Sequence, residues 1–278
     1  MKIRLRPLSV GLLALLVLVN CLQAQIAPAA ATTPAPAAPS AVGPAAPGVS
    51  VVLMPAIASQ YMFRGARLGG LSFEPMIEVD SGNFAVGVWG NFPLKDKVAG
   101  QADPEIDPYG SYTITVNDSL SVAPAFTWYN YPNADTRNGF YRSRFEPNIA
   151  FNYTVCGIRF TPKFYYDVVL KGPTYEFNIA AALPLKALGT ELDWNATAGT
   201  FIVRDAANGA NPAVKNWGNY YLLGVSAPFA ISYASKLILG VAYTKGSGNF
   251  LKAGSTPKVE NTAAVGRGIV TINYSYTF

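Results

Sequence analysis

Glu105 and Asp107 stand two residues apart. In an extended chain that spacing puts both carboxylates on one face. Such a pair could bind a cation or work as an acid and a base. Arg64 and Arg67 flank Gly65 and could hold a phosphate, guide an anion, or be plain solvated loop charges. The chain contains no His. This excludes Ser-His-Asp and Cys-His catalysis, His-ligated zinc and His general bases together. Carboxylates alone could still do acid/base chemistry, but no ligand-rich loop accompanies them. The expectation is no enzyme, no metal and no cofactor.

The ends of the chain set the context of these groups. Lys2, Arg4 and Arg6 precede an apolar run from Leu8 to Val19 and a small-residue exit at Leu22-Gln23-Ala24. That pattern is a secretory signal peptide over 1–24, too short to span a bilayer as a helix. Cys21 would suit a lipid anchor, but Asn20 sits where a small residue is expected. Cleavage after Ala24 removes three of the 21 basic residues, leaving 18 against 16 acidic ones, or +2 instead of +5. The basic balance is therefore partly a targeting artefact and gives no case for a nucleic-acid partner. Cleavage also takes one of the two cysteines and leaves Cys156 with no internal partner. Residues 25–49 are almost wholly Ala, Pro, Thr, Ser and Gly without charge. Such a stretch cannot bury a core and is expected to be a disordered periplasmic linker.

From residue 50 the composition changes. No apolar run reaches the length of a membrane helix. Alternating segments of roughly ten residues recur, broken by Gly, Asn, Asp and Pro. They lie near 51–63, 71–80, 83–92, 104–116, 119–131, 140–153, 156–168, 173–183, 190–203, 218–231, 235–245 and 267–278. In the second, Leu71, Phe73, Ile77 and Val79 alternate with Ser72, Glu74, Glu78 and Asp80. In the sixth, Phe145, Ile149, Phe151 and Tyr153 alternate with Arg144, Glu146, Asn148 and Asn152. The tenth is apolar on both faces, so its register stays open. The last carries Val270, Ile272, Tyr274, Tyr276 and Phe278 on one face and ends on an aromatic.

A soluble sandwich shares this alternation. Three features favour a closed, all-β, antiparallel transmembrane barrel of about twelve strands. Connections alternate between short turns, such as Ser81-Gly82, Asn117-Asp118 and Thr154-Val155, and longer loops at 93–103, 132–139, 204–217 and 246–266, as in barrels with periplasmic turns and outer loops. The even count puts both termini on the periplasmic side. Aromatics gather at strand ends, with Trp128, Tyr129 and Tyr131 at one rim and Tyr274, Tyr276 and Phe278 at the other. The terminal aromatic strand resembles the assembly signal of Gram-negative outer-membrane barrels. Acidic-Pro pairs recur at Glu74-Pro75, Asp107-Pro108 and Glu146-Pro147. A strand proline removes a ladder bond, so bulges are expected there.

Several pieces together resemble the TorF family of bacterial outer-membrane proteins. They are Tyr61-Met62-Phe63-Arg64-Gly65, Gly87-Val88-Trp89-Gly90-Asn91, Glu105-Ile106-Asp107-Pro108-Tyr109-Gly110 and Trp128-Tyr129-Asn130-Tyr131-Pro132. They occur in the family's order across the first half of the barrel, and the Ala/Pro linker departs from its pattern. The resemblance implies passive solute conduction.

If the apolar face meets lipid, the other face lines the bore. The acidic lining would be Glu74, Glu78, Asp80, Glu105, Asp107 and Glu146, then Asp167, Glu176, Glu191 and Asp193. The basic lining would be Arg142, Arg144, Arg159, Lys163 and Arg267. Ionisable groups at membrane depth need protein or water beside them, so the bore is either aqueous or filled by salt bridges. A turn at Thr154-Val155 would pair Glu146 with Lys163 and Arg142 with Asp167. The function expected is a porin-like channel for ions or small hydrophilic solutes in the Gram-negative outer membrane. Its partners would be outer-membrane lipid, lipopolysaccharide and the barrel-assembly machinery. The alternative is a non-conducting scaffold barrel.

Overall fold

The computed structural model describes residues 48–97, 103–134, 136, 141–204, 215–247 and 266–278. The predicted signal peptide and almost all of the predicted linker lie outside these residues. The elements in chain order are β1 (Val49–Ala58), β2 (Tyr61–Phe63), β3 (Ala66–Gly69), β4 (Ser72–Ser81), β5 (Phe84–Pro93), β6 (Glu105–Tyr112), β7 (Ile114–Asn117) and β8 (Leu120–Asn130). There follow β9 (Ser143–Val155), β10 (Ile158–Asp167), β11 (Gly172–Leu185), β12 (Thr190–Arg204), β13 (Lys215–Ala230), β14 (Ser235–Ser247) and β15 (Arg267–Thr277).

All but β2 and β3 form one antiparallel sheet in the order β6-β5-β4-β1-β15-β14-β13-β12-β11-β10-β9-β8-β7, and β6 also pairs with β8. That last pairing closes the sheet on itself. β6 and β7 are one strand interrupted at Thr113, since both pair with β8 in nearly the same register. The barrel therefore has twelve staves, as the alternation predicts. First and last staves meet, with Val52 opposite Thr277 and Ala58 opposite Thr271.

Alternation decides which face each side chain takes. Ile77, Trp128, Phe151, Tyr175, Leu183, Val270 and Ile272 stand 43–53% exposed on the outside. Their neighbours in sequence point inward and are buried: Ser72, Glu74 and Met76 on β4, and Thr127 and Tyr129 on β8. The stave with open register resolves the same way. Tyr221 and Leu223 face out at 42% and 54% exposure, while Tyr220 and Leu222 face in at 7% and 5%.

One end of the barrel carries only short turns. The structure moves three of them from their expected places. β4 and β5 are joined by Gly82-Asn83, with Ser81 opposite Phe84. β7 and β8 are joined by Asp118-Ser119, where Asn117 Oδ1 accepts the backbone N–H groups of Ser119 and Leu120 at 2.9 and 3.0 Å. β9 and β10 are joined by Cys156-Gly157, not Thr154-Val155, since Val155 lies opposite Ile158. Both turn residues have positive φ, 51° and 74°. That is the conformation that lets a two-residue loop match the twist of its strands, and glycine takes it without strain. Cys156 takes the first position of this turn.

The shifted turn dissolves both predicted cross-strand ion pairs on β9 and β10. Lys163 lies opposite Ala150, and Tyr165 opposite Asn148. With Cys156 replaced by Ser, cysteines introduced at 148 and 165 should cross-link readily, and cysteines at 146 and 163 should not. The opposite outcome would return the turn to Thr154-Val155.

The prolines do not produce the expected bulges. Pro108 pairs with Val88, Pro124 with Ile149 and Pro147 with Phe126, with unbroken register on either side. In each acidic-Pro pair the acid points inward, where Glu74, Asp107 and Glu146 are 7%, 0% and 1% exposed. The proline takes the opposite, outward face. The lost N–H costs one ladder bond and leaves the alternation intact.

Candidate functional site in the barrel interior

The first connection at the long-loop end is not an outer loop. β2 and β3 form a separate two-stranded sheet, with Met62 opposite Arg67 and Phe63 opposite Ala66. Its two-residue tip is Arg64-Gly65, again with positive φ at both positions, 47° and 74°. The hairpin folds into the bore. Tyr61, Met76, Trp89 and Tyr109 form an apolar cluster inside the β4–β6 wall, and Phe63 and Leu68 pack against it.

Arg64, which the sequence offers as a loop cation for a phosphate, an anion or solvent, is buried inside the barrel instead. Its Nη1 and Nη2 donate to Glu146 Oε1 and Oε2 at 2.9 and 2.8 Å. This two-point fork is the strongest geometry open to an arginine and a carboxylate. The guanidinium carbon also lies 5.1 Å from the centre of the Tyr165 ring and 4.8 Å from that of Phe63. Side-chain exposure of the pair is 11% for Arg64 and 1% for Glu146. Next to Arg64, Gly65 rests on the backbone of β14. A Cβ there would fall 2.4 Å from Gly246 Cα. The tip therefore reaches β9, β10 and β14 from a base between β1 and β4. Arg67 stays near that base, with Nε donating to Gln60 Oε1 at 2.6 Å.

The remaining carboxylates are held mostly by tyrosines. Glu105 accepts from Tyr61 and Tyr131 Oη, both at 2.7 Å. Glu146 accepts from Tyr129 Oη at 2.8 Å as well as from Arg64. Glu78 accepts from Tyr109 Oη at 2.8 Å, and Glu176 from Tyr165 and Tyr220 at 3.2 and 2.6 Å. Glu74 accepts from Asn91 Nδ2 at 3.2 Å, and Asp107 from the backbone N–H of Asn130 at 3.1 Å. Lys163 Nζ sits 3.7 Å from Glu176, its direct cross-strand partner. Arg144 Nε lies 3.4 Å from Asp167 and its guanidinium stacks over Tyr129 and Tyr131. Asp193 is 2% exposed on the inner face of β12, and Arg159 takes an inward position on β10.

Of the fifteen predicted lining residues, fourteen take positions on the inner face by strand parity. Arg142 is the exception. It precedes β9, is exposed, and its Nε reaches Ala134 O at 3.4 Å. Asp167 takes Arg144 in its place. Tyr129 and Tyr131 do not belong to a rim girdle. They share the inward parity of Thr127 and supply two of the hydrogen bonds just described. Six inward tyrosines went unnoticed as a set, though their parity with Asp107, Lys163 and Thr127 could have revealed it. At the opposite end, Phe278 is 67% exposed and its N–H donates to Val51 O at 2.9 Å. Its ring meets Tyr276 edge-on, with centroids 4.7 Å apart.

The chemistry of the interior is electrostatic. Among the described residues no group of His, Cys, Asp and Glu is arranged to hold a metal ion. No curated protein matches the chain. Among solved structures, a NanC porin is 11% identical, covering 81% of this chain and 98% of its own, with a TM-score of 0.45. A KdgM porin in complex with disordered oligogalacturonate is 11% identical, with 82% and 99% covered and a TM-score of 0.47. LpxR from Salmonella typhimurium is 8% identical, with 82% and 100% covered and a TM-score of 0.47. Residues 42–179, which run from the lead-in to β1 into β11, match the model of the Gcw_chp family, described as a bacterial protein of unknown function.

Proposed function

We propose that this chain is a porin-like channel for passive diffusion of ions or small hydrophilic solutes across the Gram-negative outer membrane. The observation that carries the reading is the division of faces. The outer face of the closed sheet is aliphatic and aromatic, while the inner face carries ionisable and hydrogen-bonding groups. A membrane barrel needs the first, since an apolar band must meet lipid. Nothing in barrel stability needs the second. Buried ion pairs can often be replaced by apolar residues of similar volume with no loss of stability. A charged interior suits a path for polar solutes, whose passage depends on the charges that line it.

The short-turn end would face the periplasm and the long loops the cell surface. Phe278 at the short-turn rim would then serve the barrel-assembly machinery. The outer face would contact lipid and lipopolysaccharide. Membership of the TorF family is part of this proposal and rests on the four sequence motifs. Purified protein in a planar bilayer is expected to give discrete conductance steps. Persistent silence of folded, heat-modifiable protein, in wild type and in variants with smaller lining side chains, would favour a second reading. That reading is a non-conducting scaffold barrel, and the packing of the hairpin within the bore is the observation on its side.

A further inference from the structure

The β2–β3 hairpin has the construction of a movable part. It shares no ladder with the barrel, being a sheet of its own two strands. A lone two-stranded hairpin is at best marginally stable in water. Its position must therefore come from its attachments, and these lie at the base, along the body and at the tip. Along the body, Tyr61 donates to Glu105 at 2.7 Å and packs with Phe63 and Leu68 against Trp89 and Tyr109. At the base, Ser59 is fixed to β15, with its N–H donating to Val270 O at 2.9 Å and its Oγ accepting from Val270 N at 2.8 Å. On the returning side, Gly70 N donates to Asp96 O at 3.1 Å. At the tip, the polar tie is the Arg64–Glu146 fork, and the steric seat is Gly65 on Gly246. Gln60 is the one residue between the anchored Ser59 and β2, and on the returning side the anchored Gly70 follows β3 directly. The base is thus pinned by backbone hydrogen bonds, the body rests on apolar packing, and the charged tie at the tip is the Arg64–Glu146 pair, with Arg64 also over Tyr165 and Phe63 against Tyr129.

We infer that this hairpin is a gate across the channel, latched shut by Arg64 and Glu146. The inference rests on the channel reading above and assigns its regulation. Removing Glu146 would leave a buried guanidinium without its counter-charge, which is strongly unfavourable. The hairpin can relieve that by swinging outward, which returns Arg64 to water. The gate would therefore open on loss of the latch without unfolding of the barrel wall. Gly65 supplies an independent handle. A side chain at this position has no space against Gly246 and meets an unfavourable positive φ. Gly65→Val should unseat the tip without altering any charge.

The test uses the full barrel folded in lipid, with two readouts. The first is trypsin cleavage after Arg64 or Arg67, mapped by mass, with retention of the heat-modifiable band as the check that the wall is intact. The second is bilayer conductance. Wild type should resist cleavage and conduct rarely or in small steps. Glu146→Ala, which keeps both arginines, should be cut at the tip at least about tenfold faster, because opening that exposes a site sets the rate of such cleavage. It should also conduct several-fold more, and Gly65→Val should do the same. Equal conductance in all three proteins, with the arginines still protected, would overturn the gate and leave the channel standing. Cleavage at the tip with no conductance in any of them would overturn the channel reading and the gate with it.

Discussion

Gly199→Val is expected to destabilise the folded barrel by about 2 kcal/mol, the usual scale for forcing extra carbons into filled space. Gly199 on β12 lies directly opposite Tyr220 on β13. The Tyr220 ring covers the glycine so closely that a Cβ there would stand 2.3 Å from Tyr220 Cζ. The ring cannot move without cost, because its hydroxyl is 2.6 Å from Glu176 Oε2. Neither can the backbone, which is laddered on both sides. The same device recurs one stagger away, where the Phe201 ring lies 2.3 Å from the place a Cβ on Gly218 would occupy. An aromatic laid over a cross-strand glycine fills the bore from both partners at once. Denaturant titration of the heat-modifiable form should show a lower midpoint for Gly199→Val. Gly199→Val/Tyr220→Ala should regain part of the loss through relieved crowding, while leaving Glu176 one donor short. A single variant as stable as wild type would mean that Tyr220 has another accessible position.

Asp167→Ala is expected to cost about 3 kcal/mol, the range for breaking a buried charge pair together with its hydrogen bonds. Asp167 ends β10 at 4% exposure. Its Oδ1 accepts the backbone N–H groups of Val169 and Leu170 at 2.9 and 2.7 Å, which fixes the tight connection to β11. Its Oδ2 faces Arg144. Alanine abandons two backbone donors and a guanidinium together. Asp167→Asn keeps an oxygen for the turn and removes only the charge, so it should lose about half as much. The two variants separate the turn from the ion pair in one titration. Equal losses would assign the whole effect to Arg144.

Much of this architecture could be read from alternation alone. Leu71, Phe73 and Ile77 against Ser72, Glu74 and Glu78 fix both the strand and its two faces, because a period of two admits no other assignment. The same parity puts fourteen of the fifteen candidate lining residues on the inner face of the sheet. What alternation cannot supply is the offset between neighbouring strands. Moving the β9–β10 turn from Thr154-Val155 to Cys156-Gly157 preserves every face and changes every partner. Gly157 was the available signal, since a two-residue hairpin loop asks for positive φ at that position. The inward hairpin was hidden for a different reason. Tyr61-Met62-Phe63 continues the apolar character of β1, so the chain reads as one long strand running out to a surface loop. Only the reversal at Arg64-Gly65 and the pairing of Phe63 with Ala66 turn it back. Glu146, which attracts Arg64, lies 82 residues further along, and no local pattern links the two.

The meeting of β1 with β15 governs how this molecule can be made. Every other wall pairing joins strands that are near neighbours in the chain, apart from the step over the hairpin from β1 to β4 and the broken stave of β6 and β7. The seam alone joins opposite ends of the described chain, Val52 with Thr277. Until it zips, the sheet is an open ribbon with two bare rims of unpaired N–H and C=O groups. Such rims invite pairing with any other strand at hand. Contacts so distant in sequence also form late, because the entropy of closing the intervening loop must be overcome first. The ribbon is therefore most adhesive just before it becomes edgeless. Its safety in transit depends on something else occupying those two rims until they find each other.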